Sequence, residues 1–212
     1  MSLSLLMKYL PKVTLVAASD IKLSETIRSL TKSKTDIIFN TVKLFTSTDL
    51  KPKDSEIIVE HVSPITSSKD YSYFIMYELH KHITTEYCLI TQHDGWVVNP
   101  TSWTDKFLQY DYIGAPWPSG KVGNGGFSLR SMRFLKYFSD NNKPFVPNGD
   151  GLYLEDSIIT TIYGEDLAKD GLLFAPEDIA NQFSRELYYE KSCESPFGFH
   201  SFRDRNFIYL NF

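Results

Sequence analysis

Cysteine is nearly absent. Cys88 lies in an apolar run and Cys193 in a polar stretch, and two such residues frame neither a disulfide scaffold nor a thiolate metal site. A reduced compartment, the cytoplasm, suits this usage. Long apolar runs are lacking too: no stretch approaches the ~18 residues that a membrane helix needs, and the apolar run in "MSLSLLMKYL" is too short for a secretory signal. There is no excess of positive charge. With 22 Lys and Arg against 26 Asp and Glu, the net charge of −4 removes nucleic acid as the main partner, so any phosphate ligand must be held locally. The basic groups at Lys8 to Lys12 and Lys32 to Lys34 read as solvated ends of elements. Internal repeats and low-complexity tracts are also missing.

What is present is enough for one core. A chain of 212 residues with 42% hydrophobic content supports a single domain over residues 1–212. It ends on "FIYLNF" without a polar tail, as a domain of a longer polypeptide would. "KVTLVAASD" reads as a strand closing on small residues and an Asp, and "IKLSETIRSLTKS" as a helix with apolar Ile21, Leu23, Ile27 and Leu30. "DIIFN", "VKLF" and "EIIVEHV" read as further strands. "SSKDYSYFIMYELHKHI" reads as a helix capped by Ser67 or Ser68 that leads to the strand "EYCLI". Strands alternating with helices predict an α/β fold, a central mostly parallel mixed sheet flanked by helices. In such sheets ligands sit beyond the carboxyl ends of strands.

One of those ends is "CLITQHDGWVV", where an apolar run stops at Gln92-His93-Asp94-Gly95 and resumes at Trp96 as though the same sheet continued. A carboxylate after a buried strand, beside a glycine that lets an ion approach, suits a hard divalent cation; Asp-Gly is also a common turn dipeptide. "GNGGFSLRS" describes backbone that comes close to something, with the Asn124 amide able to hold a hydroxyl, or else a bulged strand end. Arg130 in that stretch reads as a surface residue rather than a phosphate contact. "LYLEDSIITTIYG" places Glu155 and Asp156 at the start of an amphipathic helix, where carboxylates cap the first turn or serve as a catalytic base or nucleophile. His200, among Phe197, Phe199 and Phe202, is on its own a structural residue.

Together "QHDG", "DYIGAPW", "GNGGFSLRS", "LEDSII" and "FGFH" resemble GT-A type nucleotide-sugar glycosyltransferases. The resemblance is nearer to GT-A-like domains of microbes and large DNA viruses, including the amino-terminal glycosyltransferase domain of a chlorella-virus protein, and runs from about Val13 to His200. It implies transfer of a hexose from a UDP-sugar donor to a saccharide or glycoprotein-glycan hydroxyl, with Mn²⁺ or Mg²⁺ under the diphosphate, in the host cytoplasm for a viral member. Carried over, Asp94 and His200 are the metal ligands. Val16, Ala17 and Ala18 contact uracil and ribose, Gln92 and His93 belong to the donor site, and Asn124, Gly125 and Gly126 line the donor sugar. Glu155 and Asp156 stand where the catalytic acid is placed. Gln92 departs from the family's Asp-x-Asp signature, which weakens the charge offered to the cation. A neutral His200 is required for ligation, so metal-dependent activity is expected to fall as pH drops through roughly 6 to 7. Trp117 and Tyr112 face a sugar ring or pack in the core.

Two other readings compete. A non-catalytic sugar-nucleotide or glycan binding module would keep the fold after losing the first acid. A nucleotidyltransferase shares the metal chemistry, but no basic glycine-rich triphosphate loop follows the first strand.

Overall fold

A computed structural model describes residues 7–117, 119–186 and 193–201. The readings made of Met1 to Leu6, Phe202 and "FIYLNF" therefore lie outside the described residues. The first apolar run forms β1 (Lys8–Ala18), followed by α1 (Leu23–Ser33). The runs "DIIFN" and "VKLF", expected as separate strands, are one continuous strand, β2 (Ile37–Thr46), pairing in parallel with β1 on one side and β3 (Ile57–His61) on the other. The irregularity falls on β1 instead, between Leu10 and Thr14, where Pro11 has no N–H to give. After α2 (Ser68–Tyr73), β4 (Tyr87–Thr91) pairs in parallel with the other edge of β1. The sheet order is β3-β2-β1-β4, extended by β7 (Phe127–Ser131) and β6 (Tyr112–Ile113), both antiparallel to their neighbours.

The central position of β1 explains its unbroken apolar sequence, because a strand covered on both faces needs no alternation. Leu15 and Ala17 pack in the cluster that holds Leu30 of α1, while Val16 and Ala18 pack against Phe74, Ile75 and Leu79 on the other face. Behind β7, α3 (Met132–Asp140) is capped by Ser131, whose Oγ accepts the Phe134 N–H at 3.0 Å. Its Phe134 and Phe138 join Tyr112 in a third apolar cluster.

Two helices that read as regular in the sequence are not. Ser67 caps α2 by accepting the Asp70 N–H, but from Phe74 to Glu78 the helix widens into a π-turn before a 3-10 turn at Leu79–His82. Likewise α4 (Glu155–Ser157) runs straight into a π-turn at Ile158–Ile162. The short helices α5 (Gly164–Lys169) and α6 (Glu177–Phe183) come next.

The expectation for "CLITQHDGWVV" needs correction. Trp96 and Val97 do not extend the sheet of β4. The chain turns at Gln92, with the Gly95 N–H donating to the Gln92 carbonyl at 3.2 Å, and Gly95–Val97 becomes β5 of a second small sheet. Its order is β5-β9-β8, with β8 (Ser184–Arg185) parallel and β5 antiparallel to β9 (Gly198–His200). Gly95 is required there, since a Cβ would meet the Phe199 carbonyl oxygen of β9 at 2.6 Å. Asp94 thus sits at the junction of two sheets.

The carboxyl ends of β1 and β2 are tied by Asp20. Its carboxylate accepts from Thr46 Oγ1, from the Ser47 N–H at 2.7 Å and from the Ile65 N–H at 2.6 Å. Burial alone would raise its pKa, but these donors hold it below the usual carboxylate value. Two residues on, Lys22 takes a left-handed backbone conformation (φ 54°, ψ 41°), which costs a residue with a Cβ roughly 1–2 kcal/mol.

Candidate active site

Beyond the carboxyl ends of β1 and β4 lies a cavity of about 370 Å³, walled by Ala18 and Ser19, by Ser67 and Tyr71 of the α2 region, by Gln92, Gly126 and His200, and by Glu155 and Asp156. Segments distant in sequence meet on it. The β4–β5 turn brings Gln92 and His93, with Asp94 next in the chain, β9 brings His200, and the start of α4 brings the paired acids.

Asp94 and His200 are brought together by the pairing of β5 with β9, in which Gly95 faces His200 and the Ser201 N–H donates to the Asp94 carbonyl at 3.0 Å. His200 Nε2 lies 3.3 Å from Asp94 Oδ1 and 3.2 Å from Gln92 Oε1. Its Nδ1 lies 3.3 Å from Glu186 Oε1 and 3.4 Å from Asn124 Nδ2. Burial opposes charge on this imidazole, but the flanking carboxylates of Asp94 and Glu186 outweigh it and push the pKa up to about 9. In the metal-free site the ring therefore lacks the ordinary imidazole value on which the expected loss of activity between pH 6 and 7 rests. Burial likewise raises Asp94, yet His200 beside it brings the carboxyl below its usual value.

These residues fit a divalent ion. Asp94 Oδ1 is buried and, for all the nearness of His200, makes no hydrogen bond of normal geometry. Separations of about 3 Å between donor atoms are those of neighbouring ligands around a small octahedral cation, and carboxylate, amide oxygen and imidazole suit Mn²⁺. Among the described residues no group of three or more His, Cys, Asp or Glu side chains converges on one point, so an ion held here needs ligands from a substrate.

Glu155 and Asp156 differ sharply despite adjacency. Glu155 is 4% exposed and its Oε1 accepts from Arg130 Nη2 at 2.8 Å. Arg130, expected at the surface, is 1% exposed: it points inward from β7, over the Tyr112 ring at 4.9 Å, and its Nε donates to Ser128 Oγ at 3.1 Å. Burial pushes the Glu155 carboxyl up against the pull of Arg130, and Oε2 has no partner. Asp156 accepts the Ser157 N–H at 2.7 Å and the Gly125 N–H at 3.4 Å, and burial raises its pKa as well.

The glycines of "GNGGFSLRS" do approach something closely, namely side chains of this site. A Cβ on Gly126 would overlap the His200 ring, and one on Gly125 would overlap the Glu155 carboxylate. Asn124 accepts the Gly126 N–H through Oδ1 at 3.2 Å, beside His200. On the first strand only Ala18 reaches the cavity, whereas Val16 and Ala17 are buried in the two apolar clusters. Tyr112 is wholly buried against Phe174, its hydroxyl donating to the Gly123 carbonyl at 2.8 Å. Trp117 packs near Gly123.

The family model described as a protein of unknown function, DUF5672, matches residues 56–200, a span that holds Asp94, Asn124, Glu155, Asp156 and His200. This chain belongs to that family. No curated protein matches the sequence. Among solved structures, this DUF5672 chain is similar to a glycosyltransferase involved in the glycosylation of the major capsid of PBCV-1, at 13% identity and TM-score 0.53, over 94% of this chain and 99% of the other. It is also similar to the apo form of the glycosyltransferase GlyE of Streptococcus pneumoniae TIGR4, at 15% identity and TM-score 0.52, over 89% of this chain and 54% of GlyE. The DUF5672 chain spans about half the length of GlyE. The architecture is thus a GT-A-like glycosyltransferase fold, as the resemblance implied, and no helix among the described residues is long and apolar enough to cross a membrane.

Four side chains of this DUF5672 site escaped sequence reasoning. Glu186 is within reach of His200 only because β8 and β9 pair, a contact no local pattern announces. Tyr71, with a buried hydroxyl that makes no hydrogen bond of normal geometry, lies within a segment read only as a helix. Lys22 carries no motif. Arg130 had a signal: a strand paired on both edges and buried on both faces leaves an arginine nowhere but inside.

Proposed function

We propose that this protein is a metal-assisted glycosyltransferase that moves a hexose from a UDP-sugar donor to a saccharide hydroxyl. The observation that carries this reading is the meeting of Gln92, His200 and Asp156 on one cavity at the carboxyl ends of parallel strands, with Asp94 Oδ1 held 3.3 Å from His200 Nε2. Asp94 and His200 would hold Mn²⁺ or Mg²⁺, which when bound supplies Lewis-acid stabilisation of the leaving diphosphate. His200 must give up a proton to do so, and Glu186 is placed to hold its Nδ1–H and fix the ring.

Ala18 and Ser19 offer a small-residue surface for a nucleobase, and Gln92 an amide for ribose. Asp156 supplies the base. With its pKa raised by burial, it takes up the proton that the acceptor hydroxyl loses as its oxygen bonds to the anomeric carbon and the bond to diphosphate breaks. Glu155 is committed to Arg130 and serves to orient its neighbour. The unpartnered oxygens of Tyr71 and Glu155 favour a ligand rich in hydroxyls.

Gln92 in place of an acid favours the second reading, a binding module without turnover. Hydrolysis of UDP-glucose, UDP-galactose and UDP-N-acetylglucosamine, monitored as UDP release with Mn²⁺ present, separates them. Release that is lost in Asp94→Ala supports the enzyme; UDP binding without release selects the module.

A further inference from the structure

Lys22 follows Ile21 and precedes Thr26, both of which line the cavity, and its exposed side chain reaches a third lining residue, His93. Its ammonium lies 2.9 Å from Nε2 of His93, which itself lines the cavity and places Nδ1 3.5 Å from Asp94 Oδ1. Among the described residues no carboxylate lies within ion-pair distance of Lys22, so its charge is left uncompensated beside the candidate site. The backbone there is left-handed, where glycine or asparagine would fit with less strain. A lysine kept against that local preference has its use in the side chain.

We propose that Lys22 is a diphosphate-binding residue: its ammonium, steadied by His93, is a resident protein cation for the pyrophosphate linkage of a nucleotide donor. The inference rests on the nucleotide-donor reading above and deepens it. Gln92 leaves this site one acid short of the metal-binding signature, which weakens the hold on an external cation. A lysine fixed beside the same cavity supplies positive charge that needs no ion. Nucleotide binding then keeps a component that chelation does not remove.

The test is calorimetry in EDTA with uridine, UDP and inorganic pyrophosphate as probes, on the wild-type chain and on Lys22→Gly and Lys22→Arg. Lys22→Gly is expected to weaken UDP and pyrophosphate about tenfold, as loss of one charge-assisted contact does, and to leave uridine unchanged. Its melting temperature should rise by roughly 2–4 °C, because glycine relieves the left-handed backbone. Lys22→Arg should retain most of the affinity. A gain in stability with a loss in binding is an outcome that a purely structural lysine does not give. Equal effects on uridine and UDP, unchanged UDP and pyrophosphate binding, or no pyrophosphate binding by the wild type overturns the assignment. If pyrophosphate binds through Lys22 and UDP does not, the lysine stands and the nucleotide reading falls.

Discussion

Two ion pairs flank the cavity, and they are built for different ends. Arg130 with Glu155 is sealed, at 1% and 5% side-chain exposure, and braced by Ser128 and the Tyr112 ring. His200 with Asp94 is more open, at 15% and 20%, with amide groups from Gln92 and Asn124 around the ring. A sealed pair cannot exchange partners without leaving a bare charge in an apolar interior, so it holds its shape. In the proposed reaction the open pair trades a proton for a divalent cation. The site thus sets a fixed strut beside an exchangeable contact, and Asp156, next in the chain to the strut's Glu155, lines the same cavity.

Breaking the strut should cost most. Arg130→Met leaves Glu155 buried without its partner, and denaturation at pH 7 should show a loss of about 3–5 kcal/mol. Because burial already holds the Glu155 pKa above 4.5, removing Arg130 raises it further. The deficit is therefore present above that raised value and shrinks as pH falls and Glu155 takes a proton. A deficit independent of pH would place the charge elsewhere.

Beside the strut, Asp156→Asn keeps the shape and removes the proposed base. Turnover should fall by at least ~10²-fold with UDP affinity unchanged. An equal fall in UDP affinity would move Asp156 from the acceptor's proton to the donor.

On the exchangeable side the effects are smaller and lie in binding. Asp94→Ala should weaken UDP in Mn²⁺ by ~1.5–3 kcal/mol, and EDTA should do the same to the wild type with no further loss in the variant. Additive losses would separate Asp94 from the metal. The same side carries a pH signature opposite to that of the strut. His200 is raised from 6.5 to about 9, so in metal-free protein its contribution to stability is present below pH 6.5 and is lost as pH rises through 9. A melting temperature flat across that range would take the proton off this ring.

The parallel half was legible because β1, covered on both faces, and α1, with its apolar stripe, write their environments into local pattern. Asp94 was legible for the same reason, as a polar stop after a buried strand. The rest was written in contacts between distant segments. Gly126 announces a close approach without saying that the His200 ring is what approaches. Trp96 and Val97 look like more of the same strand, because apolar residues do not record which sheet they join. The inward turn of Arg130 was missed by weighing its charge ahead of its place in a doubly paired strand.

The π-turns at Phe74–Glu78 and Ile158–Ile162 come within one helical turn after Tyr71 and Glu155-Asp156. Such a turn holds one more residue than the regular helix it interrupts, so each can be viewed as a single-codon insertion beside the cavity. Deleting one residue from either would restore a plain α-helix and swing the side chains before the turn by about 100° relative to those after it. A one-codon deletion near Ile159 would thus yield a more regular helix whose Asp156 no longer faces the cavity. In comparing related sequences, a one-residue gap at these two places would mark a change of chemistry rather than a tolerated change of length.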